Sequence, residues 1–331
     1  METAMSLRRP VRSASVLLVV VGTALAAAPE TREPPSQSAG VAKTEAKFYA
    51  ETHAYMDEPL SSLRKSVHEL AGLEPSPNQD QLADLLAKTG AKADELLHRL
   101  PNLISDERVT KSHYAQQSVN SCVGVGCAPL EDAATRDEEF SYMIVADAAE
   151  GGQLAVSEYR TARNGKPLGK AVEGAPAFQG FISAWIMLSS ANQTESRFRY
   201  LGKQRVDGHA THVLGFAQIP GSVESPGVMV SNGESIPMLL QGIAWTDQSD
   251  FRIVRLRTDL LAPLPSIQVE KQTANILFSA VHIPDFATEL WLPKAVKLQM
   301  EIMGHVVTEE HNYSKYRLYQ VKSRIVLSPK D

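Results

Sequence analysis

The chain has 331 residues, with 33 Lys and Arg against 38 Asp and Glu, and a formal net charge of −5. An acidic balance gives no electrostatic case for nucleic acid, whose binding surfaces are basic. The length suffices to bury a sizeable core, in one large or two smaller domains.

Residues 1–28 read as a signal peptide. Arg8, Arg9 and Arg12 precede the apolar run "ASVLLVVVGTALAAA", and Ala24-Leu25-Ala26 supplies the small-residue cleavage pattern. Ala26-Ala27-Ala28 is the alternative, but Pro29 would then follow the cut, so cleavage after Ala26 is preferred. The apolar core falls short of the roughly 20 residues of a membrane span. No later stretch reads as one, so the protein is expected in the periplasm or secreted, with no transmembrane segment after signal removal. No cysteine follows the apolar run, which excludes lipid attachment there.

Residues 29–42, "PETREPPSQSAGVA", read as a disordered linker. Residues 43–104 read as a helical segment. Leu60, Leu63, Val67 and Leu70 mark one helix face from near Pro59 to Gly72. In the next stretch Ser76 is a capping candidate, Pro77 suits the first helical position, and Gln79 completes a capping box. Leu82, Leu85, Leu86, Leu96, Leu97 and Leu100 then form a buried stripe that ends at Pro101.

Over residues 105–331 the period changes to two. About ten strand-like runs follow, from "ERVTKSHYAQQSV" to "HVVTEEHNYSKYRLYQV". Asn164-Gly165, Asp207-Gly208 and Gly304 before His305 are tight-turn signals. Strands joined by short turns, without helical crossovers, make an antiparallel meander and exclude a doubly wound α/β fold. Gly180–Ser190 fits either a short helix or a buried strand.

Cys122 and Cys127 are the two cysteines. Outside the cytoplasm they are expected to form a structural disulfide that pins a loop, half of a metal site being the alternative. Three fragments mimic a serine-lysine acyl-transfer set: Ser62-Leu63-Arg64-Lys65, Lys88-Thr89-Gly90 and Ser118-Val119-Asn120. Their order is wrong for such enzymes. His209 and His212, three apart on a strand, point to opposite faces and cannot share a metal. His305 and His311 share a face but lie roughly 20 Å apart. There is no nucleophile elbow, phosphate loop or dinucleotide fingerprint, so no catalytic residue, metal or cofactor is assigned.

The stretch "QGIAWTDQSDFRIVRLRTDLLAPLP" concentrates acids and bases, yet its pattern is structural. Asp247 and Asp250 suit a turn, where aspartates bond the local backbone. In the outgoing strand Val254, Leu256 and Thr258 form an apolar face, and Ile253, Arg255 and Arg257 a largely wet one.

This stretch, "SRFRYLGKQRVDGHATHVLGFAQIP" and "LWLPKAVKLQMEIMGHVVTEEHNYSKYRLYQVKSRI" resemble a family of exported bacterial proteins of unknown function. More distantly, Trp-x-Asp, a turn and an Ile-Val-Arg strand resemble the LolA/RseB-like lipoprotein-carrier superfamily. That resemblance implies an α+β fold in which N-terminal helices pack on a large curved antiparallel β-sheet, an open half-barrel around an apolar cavity. A curved sheet's concave face must be filled by side chains, helices or ligand. Phe198, Tyr200, Trp245, Leu256 and Trp291 are the candidate lining residues, and a lipid or lipoprotein is the expected partner. A non-enzymatic apolar-group binder is the reading; an envelope interaction or sensor module and a secreted hydrolase with an unrecognised site are the alternatives.

Overall fold

The computed structural model describes residues 16–19 (as backbone), 48–49, 51–115, 135–148, 154–168, 181, 183–223, 227–231, 234–284 and 286–319. Cys122, Cys127, the expected cleavage site and the linker lie outside the described residues.

The main sheet comes from hairpins laid side by side. Its strands are β2 (Glu74–Pro75), β3 (Leu103–Ala115), β4 (Arg136–Ala148), β5 (Leu154–Arg163), β6 (Lys166–Pro167), β7 (Ser196–Val206), β8 (His209–Gln218), β11 (Leu240–Asp247), β12 (Ile253–Leu260), β13 (Val269–Val281), β14 (Leu290–Ile302) and β15 (His305–Leu318). These 12 strands pair antiparallel in the order β2-β7-β8-β11-β12-β13-β14-β15-β3-β4-β5-β6. The sheet is open: its edges are the two-residue strands β2 and β6. Edges this short offer little template to other chains. Three junctions are non-sequential: β2 with β7, β8 with β11, and the last strand, β15, with β3.

A small three-stranded sheet sets β1 (Val16–Val19) and β10 (Glu234–Met238) on either side of β9 (Gly227–Ser231). Within the run read as a signal, Val16 thus pairs with Ser231 and Val19 with Val228.

Three tight turns have the positive φ that two-residue hairpins need. They are Asn164-Gly165 (47° and 76°), Asp207-Gly208 (47° and 85°) and Met303-Gly304 (52° and 72°).

Residues directly opposite in antiparallel strands share a sheet face. The register therefore gives one continuous row across the inner face: Tyr200, Leu214, Ala244, Leu256, Ile276, Val296, His311, Val109, Glu138. One residue along, the outer row reads Arg199, Gly215, Ile243, Arg257, Asn275, Lys297, Glu310, Thr110, Asp137. Period-two patterning thus writes an apolar and a polar surface on one sheet.

Among the described residues the helices α1 (Leu60–Ser66) and α2 (Leu82–His98) lead up to β3. α1 is shorter than its leucine spacing predicts. Val67 is extended, at φ −112° and ψ 94°, and His68–Leu70 resumes as a 3-10 turn. α2 starts at Leu82 instead of Pro77, and Ser76 and Gln79 do not cap it. Both are drawn to the sheet instead. The Ser76 backbone N–H donates to Leu201 O, and the Gln79 side chain makes two bonds to the Tyr200 backbone, at 2.8 and 2.9 Å. The ambiguous Gly180–Ser190 stretch contains a 3-10 helix, Ser183–Leu188.

The arginine face of β12 is not wet. Residues 54–71 lie across the outer face of β7, β8, β11 and β12 and bury it. Arg257 reaches Glu69 at 2.6 Å and clasps Asp259 with two bonds of 2.8 Å. Its side chain is only 14% exposed. Arg199 donates to the carbonyls of Met56 and Glu58, and Arg197 pairs bidentately with Asp57. Strand alternation marks these arginines as outward; only the tertiary path of residues 54–71 covers them.

Candidate functional site

The inner face carries the large apolar residues. Tyr200, Leu214, Phe216, Ala244, Leu256 and Ile276 are all buried, and Phe198 packs against the same core. Fully burying one large aliphatic or aromatic side chain is worth about 1.5–3 kcal/mol, so this row is a major source of stability.

The segment carrying Phe181, Trp185 and Leu188 covers it. The Trp185 ring lies 5.3 Å from that of Phe278 on β13. α2 backs the segment. Gln193 Nε2 donates to Leu86 O at 2.8 Å and Leu188 O at 3.0 Å, and the Ser190 N–H approaches Asp94 Oδ2 at 3.3 Å. Gly90 permits this docking, since a Cβ there would stand 2.5 Å from Gln193 Nε2 and 3.1 Å from Ser190 N. Within Lys88-Thr89-Gly90, Gly90 is thus a docking point for the segment, while Lys88 pairs with Asp84 on the same helix. Two buried polar atoms at this junction, Trp185 Nε1 and Thr89 Oγ1, have no hydrogen-bond partner among the described residues.

Beyond Val296 the inner row changes character. Glu107, Glu309, His311 and Arg160 are buried together, with side-chain exposures of 0%, 0%, 0% and 4%. Arg160 grips Glu107 with bonds of 2.6 and 2.7 Å, and Tyr313 donates to Glu107 Oε1 at 3.0 Å. His311 Nδ1 contacts the same oxygen at 2.8 Å. On its other side His311 Nε2 faces Glu309 Oε2 at 3.3 Å, and Lys111 Nζ stands 2.8 Å from Glu309 Oε1. The last two approaches lack hydrogen-bonding geometry. Burial opposes charge on Glu107, but Arg160 and His311 outweigh it and hold the pKa down to about 2. Burial likewise opposes charge on His311, and the two flanking carboxylates outweigh it, so its pKa is raised. The Phe181 ring meets His311 edge-on at 5.1 Å. The cover and the ionic cluster are therefore in contact.

The geometry divides the five sequence-derived lining candidates. Phe198, Tyr200 and Leu256 share the inner face. Trp245, opposite Arg255 in the register, points outward. It is fully buried there beneath residues 67–71, with Nε1 donating to Gln204 Oε1 at 2.8 Å and the Arg255 guanidinium 5.2 Å from its ring. Trp291 is buried beside the Asp247–Arg252 turn, under the Arg252 guanidinium, and donates to Ile253 O at 2.6 Å. The two aspartates do build that turn. Asp247 Oδ1 accepts from the Ser249 N–H at 2.7 Å, its Oδ2 meets His209 Nδ1 at 2.7 Å, and Asp250 pairs with Arg252. His212 instead contacts Tyr200 and stacks on Phe251, apart from His209.

Sequence reading missed the Glu107–Arg160–His311–Glu309 cluster. Its one local signal is Glu309-x-His311-x-Tyr313, polar residues at period two on a single strand face. In isolation that pattern looks like a wet face, because Glu107 and Arg160 arrive from strands more than a hundred residues earlier.

No protein-family model and no curated protein matches the chain. Solved structures are similar to it, and three of them are as follows. One is a domain described as belonging to an outer membrane lipoprotein-sorting protein of Vibrio parahaemolyticus, with TM-score 0.31 and 11% identity, covering 70% of this chain and 92% of that one. Another is a LolA superfamily protein of Nitrosomonas europaea, with TM-score 0.30 and 16% identity, covering 72% and 94%. The third is a DUF1329 family protein of Desulfovibrio piger, with TM-score 0.33 and 11% identity, covering 74% and 95%. Among the described residues no helix is long and apolar enough to cross a membrane.

Proposed function

We propose that the protein is an exported, non-enzymatic binder of an apolar group, a lipid or the acyl chain of a lipidated partner, which it takes up on the inner face of the sheet. The observation that carries this reading is the mismatch between the inner face and its cover. The face is an apolar row running from β7 to β14. The cover is a six-residue 3-10 helix, Ser183–Leu188. Its Trp185 buries an indole N–H with no acceptor among the described residues. An unmet buried donor costs about 1–3 kcal/mol, so the cover is held less firmly than the strands beneath it. Displacing it frees the indole for water or ligand and bares the Phe278 end of the face.

The filled inner face favours a second reading, a permanent core serving an envelope interaction module. The hydrolase alternative gains little from Glu107, Glu309 and His311. They converge, but they are buried, and both Glu107 oxygens are occupied. The deciding experiment extracts the natively exported protein and identifies co-purifying lipid by mass spectrometry, then titrates the delipidated protein with dansyl-undecanoic acid. Near-stoichiometric lipid or saturable probe binding, lost in Leu256→Asp, is expected. Absence of both in a folded protein would establish the permanent core.

A further inference from the structure

We propose that His311 is a proton-operated latch: its imidazolium, seated between Glu107 and Glu309, holds Phe181 and keeps the inner-face cover closed, and loss of its proton releases the cover. This rests on reading the inner face as a binding surface and supplies the regulation of that site. His311 interrupts an apolar row, opposite Val296 on one side and Val109 on the other. Each ring nitrogen faces a different carboxylate, Nδ1 to Glu107 at 2.8 Å and Nε2 to Glu309 at 3.3 Å. Only the imidazolium turns positive charge toward both, through a hydrogen bond to Glu107 and an ion-pair contact with Glu309. A neutral ring that keeps Nδ1–H on Glu107 turns an Nε2 lone pair toward the Glu309 carboxylate, inside a site with no solvent to screen the repulsion.

The charged and titratable groups around His311 among the described residues come from β15, β3, β4 and β5, while β14 sets Val296 opposite it and the Glu138–Arg163 pair lies next along the inner row beyond Val109. These groups are Glu309 and Tyr313 on β15, Glu107 and Lys111 on β3, Arg160 on β5, and Tyr142 on β4, whose ring meets that of Tyr313 at 5.3 Å. His113 lies within electrostatic reach of Lys111 and Glu309. Burial keeps the Tyr313 hydroxyl protonated well above the ordinary tyrosine range, so it does not ionise alongside the histidine. The link to the cover is Phe181, whose ring stands 5.1 Å from His311 and 6.5 Å from Tyr313. The Phe181 contact is packing against the imidazole in the position the two carboxylates fix, so a ring that turns away from Glu309 on losing its proton takes that contact with it. The flanking carboxylates raise the affinity of His311 for its proton. The closed state is therefore complete below the unfolded histidine range and is lost as pH rises through the folded value.

The test is hydrogen exchange by mass spectrometry on the full exported protein from about pH 6 to about pH 9, each rate divided by its intrinsic pH-dependent value. Peptides spanning 183–188 should exchange about tenfold faster at the alkaline end, a local opening, while β11 and β12 stay protected. His311→Gln should abolish the step. Glu309→Gln, which removes one flanking charge, should move it to lower pH and covers the case in which His311→Gln does not fold. A flat profile in the natural protein, a step that survives His311→Gln, or a step unmoved by Glu309→Gln overturns the latch. Dansyl-undecanoic acid binding at about pH 6 and about pH 9 separates the two readings: a step without binding refutes the binder, and binding without a step refutes the latch.

Discussion

Replacing Trp245 with alanine perturbs the outer layer where sheet and N-terminal segment meet. The residue is fully buried, and truncating a buried Trp costs about 3–5 kcal/mol through lost transfer energy and the residual cavity. The structure adds one more loss. Trp245 Nε1 donates to Gln204 Oε1, while Gln204 Nε2 bonds the carbonyls of Glu69 and Ala71. Losing the indole frees an amide that stitches residues 69–71 to β7, worth about 1 kcal/mol more. A total near 5 kcal/mol is expected. Asp247→Ala, only two residues on, is the internal control. It removes the turn bonds to Ser249 and the pair with His209, about 1–2 kcal/mol for partly exposed groups. Urea melts followed by circular dichroism should separate the two variants by at least 2 kcal/mol if the m-values stay equal. A Trp245→Ala cost below 2 kcal/mol, or equal costs for the pair, would refute the outer-face placement. An Asp247→Ala protein that is folded but fails to complement a deletion strain would restore a catalytic role for this stretch.

The buried ionic cluster should set the acid limit of the fold. Glu107 titrates at about 2 against an ordinary 4.5, so its contribution, on the order of 3 kcal/mol, is present above the unfolded carboxylate range and lost as pH falls toward 2; Glu107→Gln should flatten that arm of a stability-versus-pH curve and, by stranding Arg160, cost about 3–5 kcal/mol. Gly90→Val should push Gln193 and Ser190 away from α2 and destabilise by about 1–3 kcal/mol, with faster hydrogen exchange concentrated in 183–190. Cys122 and Cys127 should be joined in the exported protein: thiol labelling without reductant should find no free thiol, and the double serine variant should still fold, because so small a ring constrains the unfolded chain weakly. N-terminal sequencing of protein from the cell envelope should begin between Ala27 and Pro29, and an intact Met1 would exclude cleavage.

Most of the strands and their turns were legible because both signals are local. Alternation over 196–206 predicts β7, and Asp207-Gly208 predicts the hairpin that follows. Antiparallel topology follows from the shortness of such connections. The junction of β15 with β3 could not be read, since neither strand carries a mark of its partner. The same limit explains Arg255 and Arg257. Alternation places them together on one face, but only the return of residues 54–71 makes that face dry. The helix starts failed for a different reason: Ser76, Pro77 and Gln79 fit a capping motif, and the unpaired backbone of Tyr200 and Leu201 competes for them and wins. The lining candidates were chosen by size, but a face is set by register. Trp245 is one residue out of phase with Leu256 across the β11–β12 ladder.

The two faces of β7–β12 are covered by very different bonds, and this decides where the molecule can open. On the outer face, residues 54–71 are tied by charge-assisted contacts at Asp57, Glu58 and Glu69 and by Gln204. Releasing that layer strands Arg257, of which little is exposed, and such a buried charge is costly to leave unpaired. On the inner face the Ser183–Leu188 cover is held by apolar contact, by Gln193 and Asp94 at its C-terminal end, and by Phe181 on His311 at its start. Releasing it costs apolar burial, which an apolar ligand restores, and it relieves the unmet Trp185 donor. Opening toward the inner face is therefore the cheaper motion, and the one whose cost an apolar ligand on that face would offset. Exchange experiments with and without a bound acyl chain should show the difference as protection lost at 183–188 and none lost at 54–71; protection lost at 54–71 would put the ligand on the wrong side of the sheet for this mechanism.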